Sequence, residues 1–342
     1  MPFDPTERRR VGRTPLTVTR LGFGSAPIGG LFSAVADADA IVTVGRAWEL
    51  GIRYFDTAPL YGYGASERRV GAALADVPRD ELTISTKVGR LIRPSDGLAE
   101  DAAIDRQELD GRQNAFYVGT GPVRPVFDYS YDGVMQSLEE SLGRLGLEHV
   151  DIAYIHDPDD HWEAAIGGAY PALEQLRHDD IVKAIGAGMN QSAMLTRFAK
   201  EGDFDVFLLA GRYTLLDQSA LADLLPICEQ KEIGIVVGGV MNSGVLADPR
   251  PGSHFNYAPA PTDIVERAAK LAAICARHGV PMRAAAVQFP LAHPAVVSIV
   301  AGVRRIDHLE EYPALFREPI PADLWAELRE EGLLAADAPV PA

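Results

Sequence analysis

Cysteine is nearly absent: the 342 residues contain two, Cys228 and Cys275, each alone in an apolar stretch of helical character. A disulfide framework is therefore excluded as the source of stability, and both thiols read as small buried hydrophobes. No uncharged apolar run approaches the roughly 18 residues that a membrane-spanning helix requires. The opening residues, MPFDPTERRRVGRT, lack the apolar core of a secretory signal, so the chain reads as cytoplasmic. Positive charge is also scarce, with 32 Lys and Arg against 48 Asp and Glu and a formal net charge of −16. Such a surface is repelled by phosphate backbones and anionic lipids, which argues against nucleic acid and membranes as partners. What remains is an ordinary globular composition, 47% hydrophobic and 23% charged. A chain of this length buries a large core without covalent staples.

Short β-branched runs alternate with longer segments of helical period over nearly the whole chain. The runs at 20–24, 52–58, 82–88, 150–156, 181–188, 205–211, 233–239 and 296–303 are largely apolar on both faces. That is the pattern of parallel strands covered on both sides. Helical periods occupy 38–50, 66–76, 132–146, 163–178, 192–201, 219–232, 263–278 and 307–316. In SLEESLGRLGLE (137–148), Leu138, Leu142 and Leu145 form one stripe while Glu139, Glu140 and Arg144 face away. Eight strand–helix units in succession predict one α/β domain over residues 1–342, a closed (β/α)8 TIM barrel. An open doubly wound sheet is the structural alternative. Three segments stand outside the eightfold count. Residues 6–19 predict a short hairpin covering the bottom of the barrel. Residues 90–130, rich in Gly, Asp, Arg and Pro, read as a long loop after the third strand, either a wall of the substrate site or a surface excursion. Residues 321–335 predict an added C-terminal helix with Trp325 and Leu328 on its apolar face.

In such a barrel the βα loops converge at the C-terminal ends of the strands, where chemistry is sited. The second predicted strand ends near Asp56, the third near Lys87 and the fourth at His156, with Tyr61 in the loop after the second. Each has an ordinary structural explanation: a helix cap, an exposed strand-end charge, a core histidine, a loop aromatic. Their coincidence at one mouth favours chemistry. A phenol with a pKa near 10 is a poor acid or base at neutral pH, and an adjacent ammonium lowers that pKa. Lys87 supplies the ammonium, Asp56 holds Lys87, and His156 orients a substrate oxygen. This is a proton-transfer set without a nucleophile.

The segments GIRYFDTAPLYGYGASE (51–67), STKVG (85–89) and VDIAYIHD (150–157) resemble, in order, the signature regions of the aldo-keto reductases. The resemblance covers nearly the whole chain and implies that Asp56, Tyr61, Lys87 and His156 are the catalytic tetrad. YIHDPD, IVKAIGAGMNQ, LAGRYTLLDQ and NSGVLA are most similar to the branch that includes D-threo-aldose, L-fucose and L-galactose dehydrogenases. A pyridoxal 4-dehydrogenase is similar to that branch.

No GxGxxG follows any strand, and GFGSAPIGG (22–30) has the wrong spacing, which argues against a Rossmann-type site. A dinucleotide stretched across a barrel mouth instead places its phosphates near the late loops. There Gly239 leads into MNSGVL, where Asn242, Ser243 and Gly244 offer donors to a pyrophosphate, unless the segment is a plain turn. The resemblance implies that Asn190 bonds the nicotinamide carboxamide. It extends the cofactor contacts to Gly24, Ser25, Asp56, Leu246, Gly302, Arg304, His308 and Glu311. NADP-dependent members carry a Lys and an Arg where this chain has Gly302 and His308, so NAD is the expected cofactor and NADP the alternative. Tyr312 stands where the family has an Asn near the end of that motif, a departure that bears on the adenine contacts.

The resulting expectation is an NAD(P)-dependent oxidoreductase with a small-molecule substrate. It oxidises a sugar hemiacetal of L-fucose, D-arabinose or L-galactose type to a lactone, or reduces an aldehyde, by hydride transfer. Oxidation of pyridoxal is the alternative within the class. A non-catalytic nucleotide-sensing subunit is the rival from another class. HDPDDH also admits a hydrolytic metal site built from His156, Asp157, Asp159, Asp160 and His161, although one loop would supply every ligand, and no metal is expected. The substrate pocket is expected from the 90–130 loop, the loop after the seventh strand and the C-terminal tail.

Overall fold

The computed structural model describes residues 3–107 and 116–342. Eight parallel strands close into a barrel: β1 Leu21–Gly24, β2 Tyr54–Asp56, β3 Thr83–Val88, β4 Ile152–His156, β5 Ala184–Met189, β6 Val206–Ala210, β7 Gly234–Gly238 and β8 Val296–Gly302. They pair in chain order, and β8 closes on β1 with Gly302 opposite Gly24. The expected closed barrel is present, not the open sheet. Register brings the functional ends level: Gly24 lies opposite Asp56, Asp56 opposite Ser85, and His156 opposite Gly188.

The strand period of two sorts side chains between two cores. Tyr54, Tyr154, Val206, Leu208, Val236 and Val300 fill the barrel interior. Their neighbours Phe55, Ile155 and Phe207 point outward and pack beneath the helices. The predicted hairpin forms from Arg8–Arg10 and Thr17–Thr19, and Val11 and Val18 plug the barrel from it. Cys228 and Cys275 are buried and free, their thiols pushed up to about 12 and about 11 by burial.

Several elements depart from the sequence expectation, each for a physical reason. Met282–Leu291 is a helix that the periodicity did not predict. Ala284 through Leu291 are all buried, so the segment carries no polar face and no amphipathic signal. The 163–178 segment is interrupted by a π-helical stretch, Ala165–Ala169, before Tyr170–His178. The 219–232 segment splits into Ser219–Leu221 and Leu224–Lys231, because Pro226 has no amide to join the two. Within 90–130, Arg90–Pro94 pairs antiparallel with Val123–Phe127. Pro94 and Pro125 mask that ribbon in the sequence, as proline is confined to such edges. Residues 108–115 of the same segment lie outside the described residues. The C-terminal helix is Ala322–Glu330, with Leu324, Trp325 and Leu328 buried. Among the described residues, no helix is long and apolar enough to cross a membrane.

Candidate active site

Adjacent strands deliver Asp56 and Lys87 to one buried point, their side chains 2% and 1% exposed. Lys87 Nζ donates to the two Asp56 carboxylate oxygens at 2.8 and 2.7 Å and to the Thr57 carbonyl at 2.9 Å. Those bonds account for the three protons of an ammonium. Ser85 Oγ donates to Asp56 Oδ1 at 2.8 Å. Burial raises the Asp56 carboxyl above its ordinary range, opposed by the Lys87 charge and the bonds from Lys87 and Ser85. A buried ion pair persists only when each charge is answered in this way.

Tyr61, in the loop after β2, stacks its ring against that pair. Lys87 Nζ lies 4.6 Å from the ring centroid, and the His156 ring meets Tyr61 edge-on at 5.7 Å. The expected lowering of the phenol by Lys87 is not what this geometry produces. Burial first, and then the Asp56 carboxylate, push the Tyr61 phenol well above its usual value. It is therefore protonated at neutral pH, the state that a proton donor requires. Burial, reinforced by Arg90 and Lys87, holds the His156 imidazole well below its ordinary value and so neutral. A neutral imidazole offers one donor and one acceptor to a ligand oxygen.

A cavity of about 300 Å³ opens over these groups, and Tyr61, Lys87, His156 and Asn190 all line it. The 90–130 segment contributes Gln107, Phe116 and Tyr117 to its wall, as expected for a substrate-site loop. The loop after β7 contributes Tyr257, carried on a small hairpin of His254–Phe255 and Ala258–Pro259. The C-terminal tail, expected to join the pocket, supplies none of the described lining residues. Its Trp325 packs instead 6.3 Å from Phe289, because the apolar stripe of the tail is satisfied by helices outside the barrel.

Asp157 also lines the cavity, a position that the tetrad reading passed over. Its place beside a strand-end histidine was the available signal; the direction of its side chain was not. The other members of HDPDDH diverge. His161 packs on Phe127 and Tyr129 at 4.6 and 5.3 Å, and Asp159 accepts from Gln191 at 3.0 Å.

The positions expected at a cofactor divide into four groups. Asn190 faces the cavity, its Oδ1 3.4 Å from Tyr257 Oη. Gly239, Asn242, Ser243 and Gly244 have φ of +64°, +45°, +58° and +107°, a left-handed run that turns the chain sharply past β7. Asn242 Nδ2 donates to the Gly211 carbonyl at 3.2 Å, while its buried Oδ1 has no partner. Gly24 and Gly302 end β1 and β8, and Arg304 and His308 are exposed beyond β8. The remaining positions are committed elsewhere. Ser25 Oγ donates to the Asp56 carbonyl at 2.7 Å and accepts from Ser66 at 2.6 Å, so its side chain braces β2. Leu246 is fully buried in the core, Glu311 pairs with Arg283, and Tyr312 packs inside.

The family description "Aldo/keto reductase family" matches residues 20–331. A pyridoxal 4-dehydrogenase of Microbacterium luteolum is 42% identical, over 98% of this chain and 100% of that protein. A D-threo-aldose 1-dehydrogenase of Pseudomonas sp. is 43% identical, over 93% of this chain and 95% of its own. An L-galactose dehydrogenase of Arabidopsis thaliana is 30% identical, over 91% of this chain and 88% of its own. Among solved structures, an aldo-keto reductase from Bacillus halodurans in its holo form superposes over 97% of both chains with a TM-score of 0.73. At 22% identity that is a likeness of fold alone.

Proposed function

The chain belongs to the aldo/keto reductase family and is an oxidoreductase, and from that premise we propose that it oxidises the hemiacetal carbon of an aldose to a lactone, using NAD and Tyr61 as the acid/base residue. The observation that carries this reading is the convergence of Tyr61, Lys87 and His156 on one cavity, with Asp56 holding Lys87 from behind. The same reading takes residues 1–342 as a single barrel domain.

The residues at the mouth fit a nicotinamide dinucleotide. Asn190 presents an amide to the cavity, and in the left-handed turn past β7 the buried Asn242 Oδ1 is an unanswered acceptor for a ligand hydroxyl. Asn190 would hold the carboxamide, the Gly239–Gly244 turn the pyrophosphate and the loop after β8 the adenosine end. When bound, the nicotinamide supplies hydride exchange. The chain's own residues handle the proton. In oxidation Tyr61 first loses its own proton to solvent and then, as the phenolate, takes the proton from the substrate hydroxyl; in reduction the protonated phenol gives its proton to the carbonyl oxygen. Neutral His156 donates a hydrogen bond to that same oxygen and fixes its position. Asp56 holds Lys87 over the Tyr61 ring, and the attraction between that ammonium and the ring grows as the phenol ionises.

NAD is favoured because the positive charge beyond β8 is already engaged. Arg305 closes on Asp307 at 2.6 and 3.0 Å, and Arg304 bonds Ser33. With Gly302 and His308 alongside, little is left to pair with a 2′-phosphate. Pyridoxal is the second substrate reading, since Phe116, Tyr117 and Tyr257 offer aromatic faces to a flat pyridine ring. A spectrophotometric screen of L-fucose, D-arabinose, L-galactose and pyridoxal with NAD and with NADP tests both readings. Nucleotide binding without turnover of any of them, or of simple alcohols and aldehydes, would instead support the sensing-subunit reading.

A further inference from the structure

Asp157 lines the cavity beside Tyr61 and His156 yet has no part in the proton transfer described above. Its backbone lies at φ +41°, in the left-handed region that few residues other than glycine, asparagine and aspartate adopt. Two buried side chains hold it there. Tyr129 Oη donates to the carbonyl oxygens of His156 and Asp157 at 2.6 and 2.9 Å. Arg90 donates from Nη1 to the His156 carbonyl at 2.5 Å and from Nε to Asp105 at 2.6 Å. Tyr129 is in turn wedged between two glycines. A Cβ on Gly89 would lie 2.1 Å from its ring, and one on Gly168 would lie 2.5 Å from its carbonyl oxygen. Gly168 lies in the π-helical stretch Ala165–Ala169.

The clamp turns the Asp157 carboxylate into the cavity, 3.5 Å from His156 Nε2 and 3.5 Å from Asn190 Nδ2. Both contacts are long, so the carboxylate oxygens keep unused acceptor capacity. Other lining residues, Leu31, Leu60, Phe116 and Tyr117, are apolar or aromatic. A ligand with hydroxyls along one edge and a C–H face on the other answers both kinds of surface. Burial raises the Asp157 carboxyl to about 6, with Arg90 and Lys87 opposing and Asp159 and Asp105 reinforcing, so near neutral pH it is chiefly an acceptor. A half-buried acceptor left unanswered penalises any ligand that lacks a donor.

We propose that Asp157 is a specificity-determining residue whose carboxylate accepts a hydrogen bond from a hydroxyl beside the reacting carbon, so that the site prefers polyhydroxylated substrates to plain aldehydes. This rests on the oxidoreductase reading above. The test compares wild type, Asp157→Asn and Asp157→Ala for L-fucose oxidation, pyridoxal oxidation and butanal reduction, with thermal melts to confirm folding. The expected result is a fall in kcat/KM for L-fucose of about 30-fold or more in Asp157→Ala, mainly through KM. The fall is smaller in Asp157→Asn, whose amide oxygen still accepts. Butanal suffers far less, so the preference for sugar over plain aldehyde collapses by about 10-fold or more. An equal loss on all three substrates would overturn the proposal in favour of a structural role. A loss confined to pyridoxal would overturn it by assigning the carboxylate to a ring N–H cation. Wild type that reduces butanal but oxidises no sugar defeats this inference while leaving the oxidoreductase reading intact. Wild type inactive on every substrate defeats that reading first.

Discussion

Lys87 lies over the face of Tyr61, its Nζ 4.6 Å from the ring centroid, because its protons are committed to Asp56 and Thr57. The lysine therefore acts on the phenol through the ring rather than through a bond to its oxygen. With burial raising the phenol, the resting site holds a proton ready to give. Oxidation must first remove that proton, and the cation over the ring favours the phenolate once formed.

Tyr61→Phe separates these roles, since phenylalanine keeps the ring beneath Lys87 and loses the proton. Turnover should fall by about 10²–10⁴-fold while nucleotide affinity is kept. Steady-state rates paired with fluorescence titration of the reduced cofactor measure both, and near-normal turnover would remove Tyr61 from the mechanism.

Asp56 and Lys87 should behave as one unit in stability. Asp56→Asn or Lys87→Met alone leaves a buried charge unanswered, at a cost of about 3–5 kcal/mol. The double variant should lose clearly less than the sum of the singles, by about 1–3 kcal/mol, yet remain inactive. Chemical denaturation of the four proteins gives the cycle, and strictly additive losses would show that the pair is not coupled.

Cofactor preference should be set by the Arg305–Asp307 contact. Wild type is expected to favour NAD, and Asp307→Ser combined with His308→Arg to raise kcat/KM for NADP by about 10-fold, as free guanidinium groups meet the extra phosphate. A wild-type preference for NADP would refute this account.

Asp157 should trade stability for function. Its carboxyl titrates at about 6 in the fold against an ordinary 3.8, so the folded chain binds this proton more tightly than the unfolded one. Protonation thus adds stability as pH falls from about 7 toward 4, and the ionised group costs on the order of 1–3 kcal/mol at pH 8. Asp157→Asn removes that cost, and asparagine tolerates the left-handed backbone. Its Tm should exceed wild type by about 2–4 °C at pH 8, with the gap closing toward pH 4. A variant less stable than wild type at pH 8 would contradict the sign.

Local pattern was enough to place the strands of the barrel and to set Asp56, Lys87 and His156 at successive strand ends. Strand period and burial on both faces act within a few residues, so they are written contiguously in the chain. Tertiary structure decided what depends on distant partners. The helix Met282–Leu291 is invisible by periodicity because neighbours cover it all round. Glu311 and Ser25 are expected at the cofactor from the sequence, which does not show that their side chains also pair with Arg283 and the Asp56 carbonyl in the fold. The direction of the Tyr61 shift turned on burial and on a carboxylate five residues away in sequence but folded against it. Asp157 points into the cavity only because Tyr129 and Arg90 grip the peptide before it. Residue identity and spacing determine which groups reach the mouth of a barrel; the aim and charge state of each are set by contacts that exist only once the chain has closed.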